Sequence, residues 1–379
     1  MRERGAEVAT TQMGRMGAED PSTGSGRGSM AMGQLNPRRG RLTSPRCEEF
    51  VSTKTLNPDS ANAPRCQDRA GTYEAWYVTA SDAASRCGYW FRYTTFNPAS
   101  GVSTEPHAAL WAFAFDRDHR EMNWGGKVTF PLRALRTSSQ PFGLRLEGAI
   151  LDRNGCSGQV HTEMGSVRWD LRWESREPPF PFLRPRWQGL SSVGNIGAHP
   201  ALTISGSVEV NGREHRLVAA PGGQQHTWGT SHALGWNWGF ASGSDFWLDG
   251  ATSRVRSRLG RVLVGTAIGA QTGDHRFLFN GPVQVLRTRG PISPDGWKAS
   301  AQLGDRVLHA TVTPRREDLI GVTYADPRGG ARFCYHTEVA DLDLRLVRGT
   351  ETLAHVTRPA AAAFEYASES PLASVPLTV

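Results

Sequence analysis

The side chains of this sequence best suited to chemistry gather in residues 222–239, which read GGQQHTWGTSHALGWNWG. Gln224, Gln225, His226 and His232 stand there among Trp228, Trp236 and Trp238. Two histidines and two glutamines make poor filler for a dry core. Lining a cavity, they could hydrogen-bond a carbonyl and withdraw electron density as a transition state forms. Tryptophan faces would stabilise developing positive charge by cation–π attraction. His226 is the expected principal polar contact, Gln225 its assistant, and the remainder the cavity wall; as a lumen histidine, His226 should add little to folding. A second pair lies upstream. Glu74 shares strand parity with Trp76 in TYEAWYV, and Arg92 with Trp90 in GYWFRY, so carboxylate and guanidinium are expected to line one lumen and pair there. Glu74 is then the one candidate acid, serving if burial raises its pKa. Trp111 in AALWAFAF completes the wall. His107, His161, His215, His275, His309, His336 and His355 are scattered singly and read as structural or exposed.

Other chemistries are disfavoured. His226 and His232 would lie about 20 Å apart on an extended strand, against the ~4 Å of shared metal coordination, so no metal is expected. No GxSxG elbow and no strand-linked GxGxxG is present. Lysines number only three (Lys54, Lys127, Lys298), which argues against Schiff-base catalysis. The arginines are spread singly over strands rather than clustered, which argues against nucleic acid. Five cysteines without a CxxC suit reduced thiols in the cytoplasm. The mean hydropathy is -0.44, no apolar run approaches a membrane span, and no secretory signal is visible in the first thirty residues.

The elements that must position these groups are strands. Residues 1–46, rich in Gly, Ser, Arg and Met, carry no hydrophobic period and are expected to be a disordered head. From Thr72, short apolar-aromatic runs recur between turn residues, and Asn211-Gly212 marks a two-residue hairpin. Helical periodicity is absent, so the chain reads as all-β. One strand through residues 222–239 would be too long, so a break is expected at Gly229 or Gly235. Residues 177–186, with four prolines, form either an interdomain linker or a strap across a barrel end. Eight or nine strands fall on each side of about residue 234, enough for two small barrels.

The runs TYEAWYVTASD, GYWFRYTTFNP and ALWAFAFD, the hairpin PALTISGSVEVNG and the segment GQQHTWGTSHALGWNWG resemble a known group. It is the lipocalin-like two-barrel superfamily of carotenoid 1,2-hydratase (hydroxyneurosporene synthase), AttH-like proteins and fungal decalin-forming Diels–Alderases. The resemblance spans roughly residues 70–375. It implies two consecutive lipocalin-like (calycin-type) antiparallel β-barrels, 47–233 and 234–379, with a pocket at their interface. It also implies action on long apolar isoprenoids or polyketides without redox cofactor or metal. Hydratase-like members often carry an acidic residue where this chain has Gln224 and Gln225, and relatives often carry one where this chain has Ala109. A neutral amide orients a carbonyl but cannot protonate an alkene, so a cofactor-free cyclase is expected ahead of a hydratase. A non-catalytic binder of an apolar metabolite is the third reading.

Overall fold

In the computed structural model, which describes residues 56–66, 69–257, 260–288 and 290–379, the apolar runs fold as antiparallel strands. The expected head, and Cys47, lie outside the described residues. The first strands are β1 (Thr72–Asp82), β2 (Cys87–Asn97), β3 (His107–Asp116), β4 (Trp124–Pro131), β5 (Leu135–Ser139) and β6 (Phe142–Leu146). They continue as β7 (Ala149–Asp152), β8 (Gly155–Thr162), β9 (Gly165–Ser175), β10 (Phe180–Pro181), β11 (Val193–Val210) and β12 (Arg213–Gly229). These twelve make one sheet, ordered β4-β3-β2-β1-β12-β11-β9-β8-β7-β6-β5, with β10 paired to β11. It curls into a nearly closed barrel in which β4 packs against β8.

A second sheet begins with β13 (Gly235–Ser242), β14 (Phe246–Arg256), β15 (Val262–Thr272) and β16 (His275–Phe279). It goes on with β17 (Trp297–Leu303), β18 (Arg306–Thr313), β19 (Ile320–Ala325), β20 (Ala331–Arg348) and β21 (Glu351–Ser368). Their order is β16-β15-β14-β13-β21-β20-β18-β17, with β19 paired to β20. The protein is all-β. The first sheet exceeds the expected strand number because residues 135–152 are cut into the short strands β5, β6 and β7. The expected break falls between Gly229, which ends β12, and Gly235, which starts β13. Asn211 and Gly212 both take positive φ, 52° and 82°, the type I′ geometry that joins β11 to β12 with Val210 opposite Arg213.

Strand burial explains two textures in the sequence. In β9 (GSVRWDLRWES), buried and exposed residues alternate because one face meets water. β1, β2 and β3 are buried almost throughout. Trp76, Phe91 and Tyr93 on one face join Trp169 and Leu171 inside the first barrel. Tyr77, Trp90, Trp111 and Phe113 on the other pack with Trp238, Trp247 and Tyr324 of the second sheet. The second sheet keeps its own interior around Trp297, Phe277 and Phe279. Continuous apolar runs thus mark strands covered on both sides.

Polar ties fix the two halves. Arg117, following β3, reaches Asp341 at 2.9 Å and Asp318 at 3.5 Å, and donates to the Val339 carbonyl. The proline-rich stretch 177–186 proves to be a strap. Phe180 is buried against Trp247 (5.9 Å between ring centres), and Arg184 donates its backbone N–H to Asn280 O at 3.0 Å. Among the described residues there are two short α-helices, α1 (Pro58–Asn62) and α2 (Pro282–Arg287). α1 starts with Pro58 and is capped by Asn57 and Ser60, each side chain bonded to the other's backbone N–H. Among the described residues, no helix is long and apolar enough to cross a membrane.

Candidate active site

A cavity of about 250 Å³ opens between the outer faces of the two sheets. Because side chains alternate along a strand, the residues of β1 and β2 that reach it are those turned away from the barrel interior: Tyr73, Tyr77, Trp90 and Arg92. β13 supplies Trp236 and Trp238, the linker His232, β19 Tyr324 and β21 Glu365. The strap, the turn that follows it and α2 form its outer wall through Phe182, Leu190 and Val285. The lining is thus mainly apolar, with a cluster of aromatic rings beside one carboxylate and one guanidinium.

The charged groups rest on a buried network. Strand pairing puts His336 of β20 and Trp238 of β13 on either side of Glu365. Glu365 accepts from Trp236 Nε1 at 3.0 Å, and Tyr324 Oη lies 3.4 Å from its Oε1. His336 Nδ1 is 3.4 Å from Glu365 Oε1, an ion-pair distance without good hydrogen-bond alignment. Its Nε2 lies 2.9 Å from Glu338 Oε1, well aligned. Burial pulls the His336 pKa down, but the two carboxylates outweigh it and hold the imidazole above its usual range. Burial raises Glu365 and Glu338 alike. In Glu365 this is overcome by His336, Trp236 and Arg92, so its carboxyl lies below the ordinary value; in Glu338 burial wins and the carboxyl is raised. The trio therefore joins an ionised Glu365 to a protonated His336, with Glu338 able to titrate. Trp90 lies 4.6 Å from the His336 ring. Arg92 lies 4.3 Å over Tyr324, 5.4 Å from Trp90 and 5.6 Å from Trp111.

Of the twelve residues expected at the site, Trp90, Arg92, His232, Trp236 and Trp238 line this cavity and the rest do not. The expected Glu74–Arg92 pair does not form: Arg92 stands opposite Tyr77 and faces the second sheet, while Glu74 shares its face with Trp76, inside the first barrel. Glu74 instead bonds His226 Nε2 at 2.8 Å and accepts from the backbone N–H groups of Arg65 at 2.5 Å and Cys66 at 3.0 Å. His226 Nδ1 lies 2.7 Å from the Ala61 carbonyl, and its ring stacks on Trp76 at 4.8 Å. Gln224 exchanges two 2.8 Å hydrogen bonds with Asn62, whose carbonyl accepts from Trp76 Nε1. His226, Glu74, Gln224 and Trp76 thus clamp the α1 segment over the end of the first barrel. His226 is wholly buried there with both ring nitrogens engaged, which favours a structural role over the small folding effect expected of a lumen histidine. Trp228 packs with Ala61 and Cys66 in the same plug.

Gln225 points the other way, into the layer between the sheets, beside Asp249, whose carboxyl it pulls down. Trp111 lies in that layer too, donating to Thr94 Oγ1 at 3.1 Å. His232 packs against Tyr73 with ring centres 4.0 Å apart and planes tilted by 35°, and burial lowers its pKa, leaving it neutral. His336, Glu338, Glu365 and Tyr324 were not singled out from the sequence. The available signal was HTE in β20, a histidine and a glutamate on one face of a strand.

No protein-family model matches the chain. Proteins described as uncharacterized from two Mycobacterium tuberculosis strains are each 26% identical over 290 residues, 76% of this chain and 85% of theirs. Among solved structures, an AttH-like protein from Nitrosomonas europaea aligns over 85% of this chain and 99% of its own, with TM-score 0.54 and 14% identity. Kievitone hydratase from Nectria haematococca aligns over 82% and 91%, with TM-score 0.47 and 11% identity. The chain has the lipocalin-like two-barrel fold of the AttH-like protein.

Proposed function

We propose that the protein is a cofactor-free enzyme that moves a proton on an apolar, unsaturated small molecule held between the two barrels. The reaction is an isomerisation or the addition of water to a double bond. One observation carries this reading: the Glu365 carboxylate opens into an aromatic cavity and is backed by a buried imidazole, His336, and a second carboxyl, Glu338. Glu365 serves as the proton-transferring group. It takes a proton from His336 and delivers it to an alkene carbon; the proton then lost from a neighbouring carbon (isomerisation) or from the water that adds to the cation (hydration) returns through Glu365 to His336. Arg92 and the hydroxyls of Tyr73, Tyr77 and Tyr324 are placed to bind an oxygen of the substrate, and the Trp90, Trp236 and Trp238 faces favour cationic character in the transition state.

Ring closure of a folded polyene is the second reading, favoured by the aromatic wall, which can hold one folded conformer. The basis for ranking it first has gone, since Gln224 and Gln225 are both outside the cavity lining. Incubation with linear polyenes and prenylated phenols in D₂O separates the readings. Proton transfer by Glu365 gives deuterium on carbon, pericyclic closure gives a product of unchanged mass, and hydration adds one water. Glu365→Gln should lower turnover by roughly 10²-fold or more while leaving binding in place. Turnover undiminished in that variant refutes the role of Glu365, and tight binding without any product leaves the carrier reading.

A further inference from the structure

The cavity mouth is unusual in what it exposes. Leu190 (53% exposed), from the turn that follows the strap, Leu263 (37%) from β15 and Leu286 (42%) from α2 bring apolar side chains from three separate segments to one rim, and Val283 (58%) is exposed on the same short helix α2. Leu190, Leu263 and Leu286 also line the cavity, so the apolar surface runs without interruption from the interior to the outside. Soluble surfaces seldom gather large aliphatic side chains in this way unless something covers them.

The charge of these segments says what. Residues 181–195, 251–267 and 280–291 contain eight arginines and no aspartate or glutamate, in a chain with 36 acidic residues. The arginines that look scattered in the sequence are brought by the fold to the segments that carry the rim. Arg186, Arg256, Arg261 and Arg287 are exposed, and among the described residues none of the four makes an ion pair, whereas Arg254 reaches Glu369 at 3.2 Å.

We infer that the rim is a docking face for an anionic lipid surface, with the aliphatic side chains entering the interface and the arginines meeting headgroups. Basic residues beside an apolar face are the usual composition of elements that lie on a bilayer without spanning it. A second copy of this chain fits poorly, because a two-fold contact would set the same acid-free arginine collar against itself. Docking goes beyond the reaction proposed above and stands without it, because it is read by sedimentation and not by turnover.

The test uses the full chain and vesicles of phosphatidylcholine with and without phosphatidylglycerol. The protein should sediment with the phosphatidylglycerol vesicles, not with phosphatidylcholine alone, and lose binding at high salt. Leu190→Asp with Val283→Asp should lower partitioning roughly tenfold or more, since both remove apolar area and add repulsive charge. Arg186→Ala with Arg287→Ala should lower it roughly 25-fold, about fivefold for each charge lost. All four positions are exposed, and unchanged circular dichroism verifies the fold. Absence of binding to anionic vesicles overturns the inference. So does equal binding by the rim variants, which assigns the attraction to the arginine-rich head. A concentration-dependent dimer that the same substitutions dissolve makes the rim a contact between copies instead.

Discussion

Asp249 offers a stability test that can be worked from the structure. It lies on β14, wholly buried between the sheets, with Oδ1 accepting from Trp238 Nε1 at 3.0 Å. Its Oδ2 lies against Gly197, where a Cβ would stand 2.6 Å away. Burial pushes the carboxyl up from 3.8 to about 7, against the pull of Trp238 and the neighbouring Gln225. The unfolded chain releases this proton near pH 4, whereas the folded protein keeps it until about pH 7. Between those values the folded state binds one proton more, so stability from this group is full at acid pH and falls as pH rises. About three pH units at 1.36 kcal/mol each give roughly 4 kcal/mol. Asp249→Asn removes the titration and keeps an acceptor for Trp238. Urea unfolding of both proteins at about pH 4 and about pH 8 should show the variant gaining on the wild type as pH rises, by up to ~4 kcal/mol. Taking the difference cancels the other titrating groups. A difference that stays flat refutes the reasoning and means that Asp249 ionises normally in the fold.

Three further substitutions probe other ties. His226→Ala should destabilise by about 3 kcal/mol or more in urea unfolding, because it leaves Glu74 buried without its imidazole, while turnover per folded molecule is retained. Arg117→Ala strands buried Asp318 and should cost about 3–5 kcal/mol by the same assay. At Gly88 a Cβ would stand 2.5 Å from the Glu338 Cβ and 2.7 Å from its carbonyl oxygen, so Gly88→Val should force β2 away from β20, costing roughly 1–3 kcal/mol in thermal or urea unfolding.

The fold was legible because its determinants are local. Turn residues cut the chain into strands, Asn211-Gly212 wrote its own hairpin, and the glycines at 229 and 235 marked the break. The difference between the alternating SVRWDLRW and the continuous TYEAWYVTA also told which strands are covered on both faces, although this was not read from the sequence. The site was less legible because it is built by register. His336 and Glu365 meet only because β20 and β21 pair with those residues opposite each other, and Trp238 joins them through β13. Taken singly, a histidine in RFCYHTEV and a glutamate in AAFEYASES look like any strand residues. The α1 plug was missed as well, although Asn57-Pro58 followed by Ser60 is a helix-start signal.

The error over Glu74 and Arg92 shows how parity must be used. Each residue was placed correctly with its tryptophan, Glu74 with Trp76 and Arg92 with Trp90. What one strand cannot give is the offset between two of them. β1 and β2 pair with Tyr77 opposite Arg92 and Glu74 opposite Thr95, so the even residues of β1 and the even residues of β2 face opposite sides. The consequence extends to β12, where Gln224 and Gln225 are neighbours in sequence, yet one fastens the plug of the first barrel and the other lies beside Asp249 between the sheets. With both faces of β1, and of β12 from Gly222 onward, largely buried, the sheet separates two tasks at one-residue spacing. Glu74, Gln224 and His226 hold the barrel end shut, and Tyr73, Tyr77 and Thr227 on the reverse face help to line the cavity. A one-residue slip in that pairing would exchange the two sets, putting the clamp carboxylate into the cavity and tyrosines against the plug. The dense hydrogen bonding around Glu74 therefore bears on the site without touching it, because it fixes the register that decides which side chains the cavity receives.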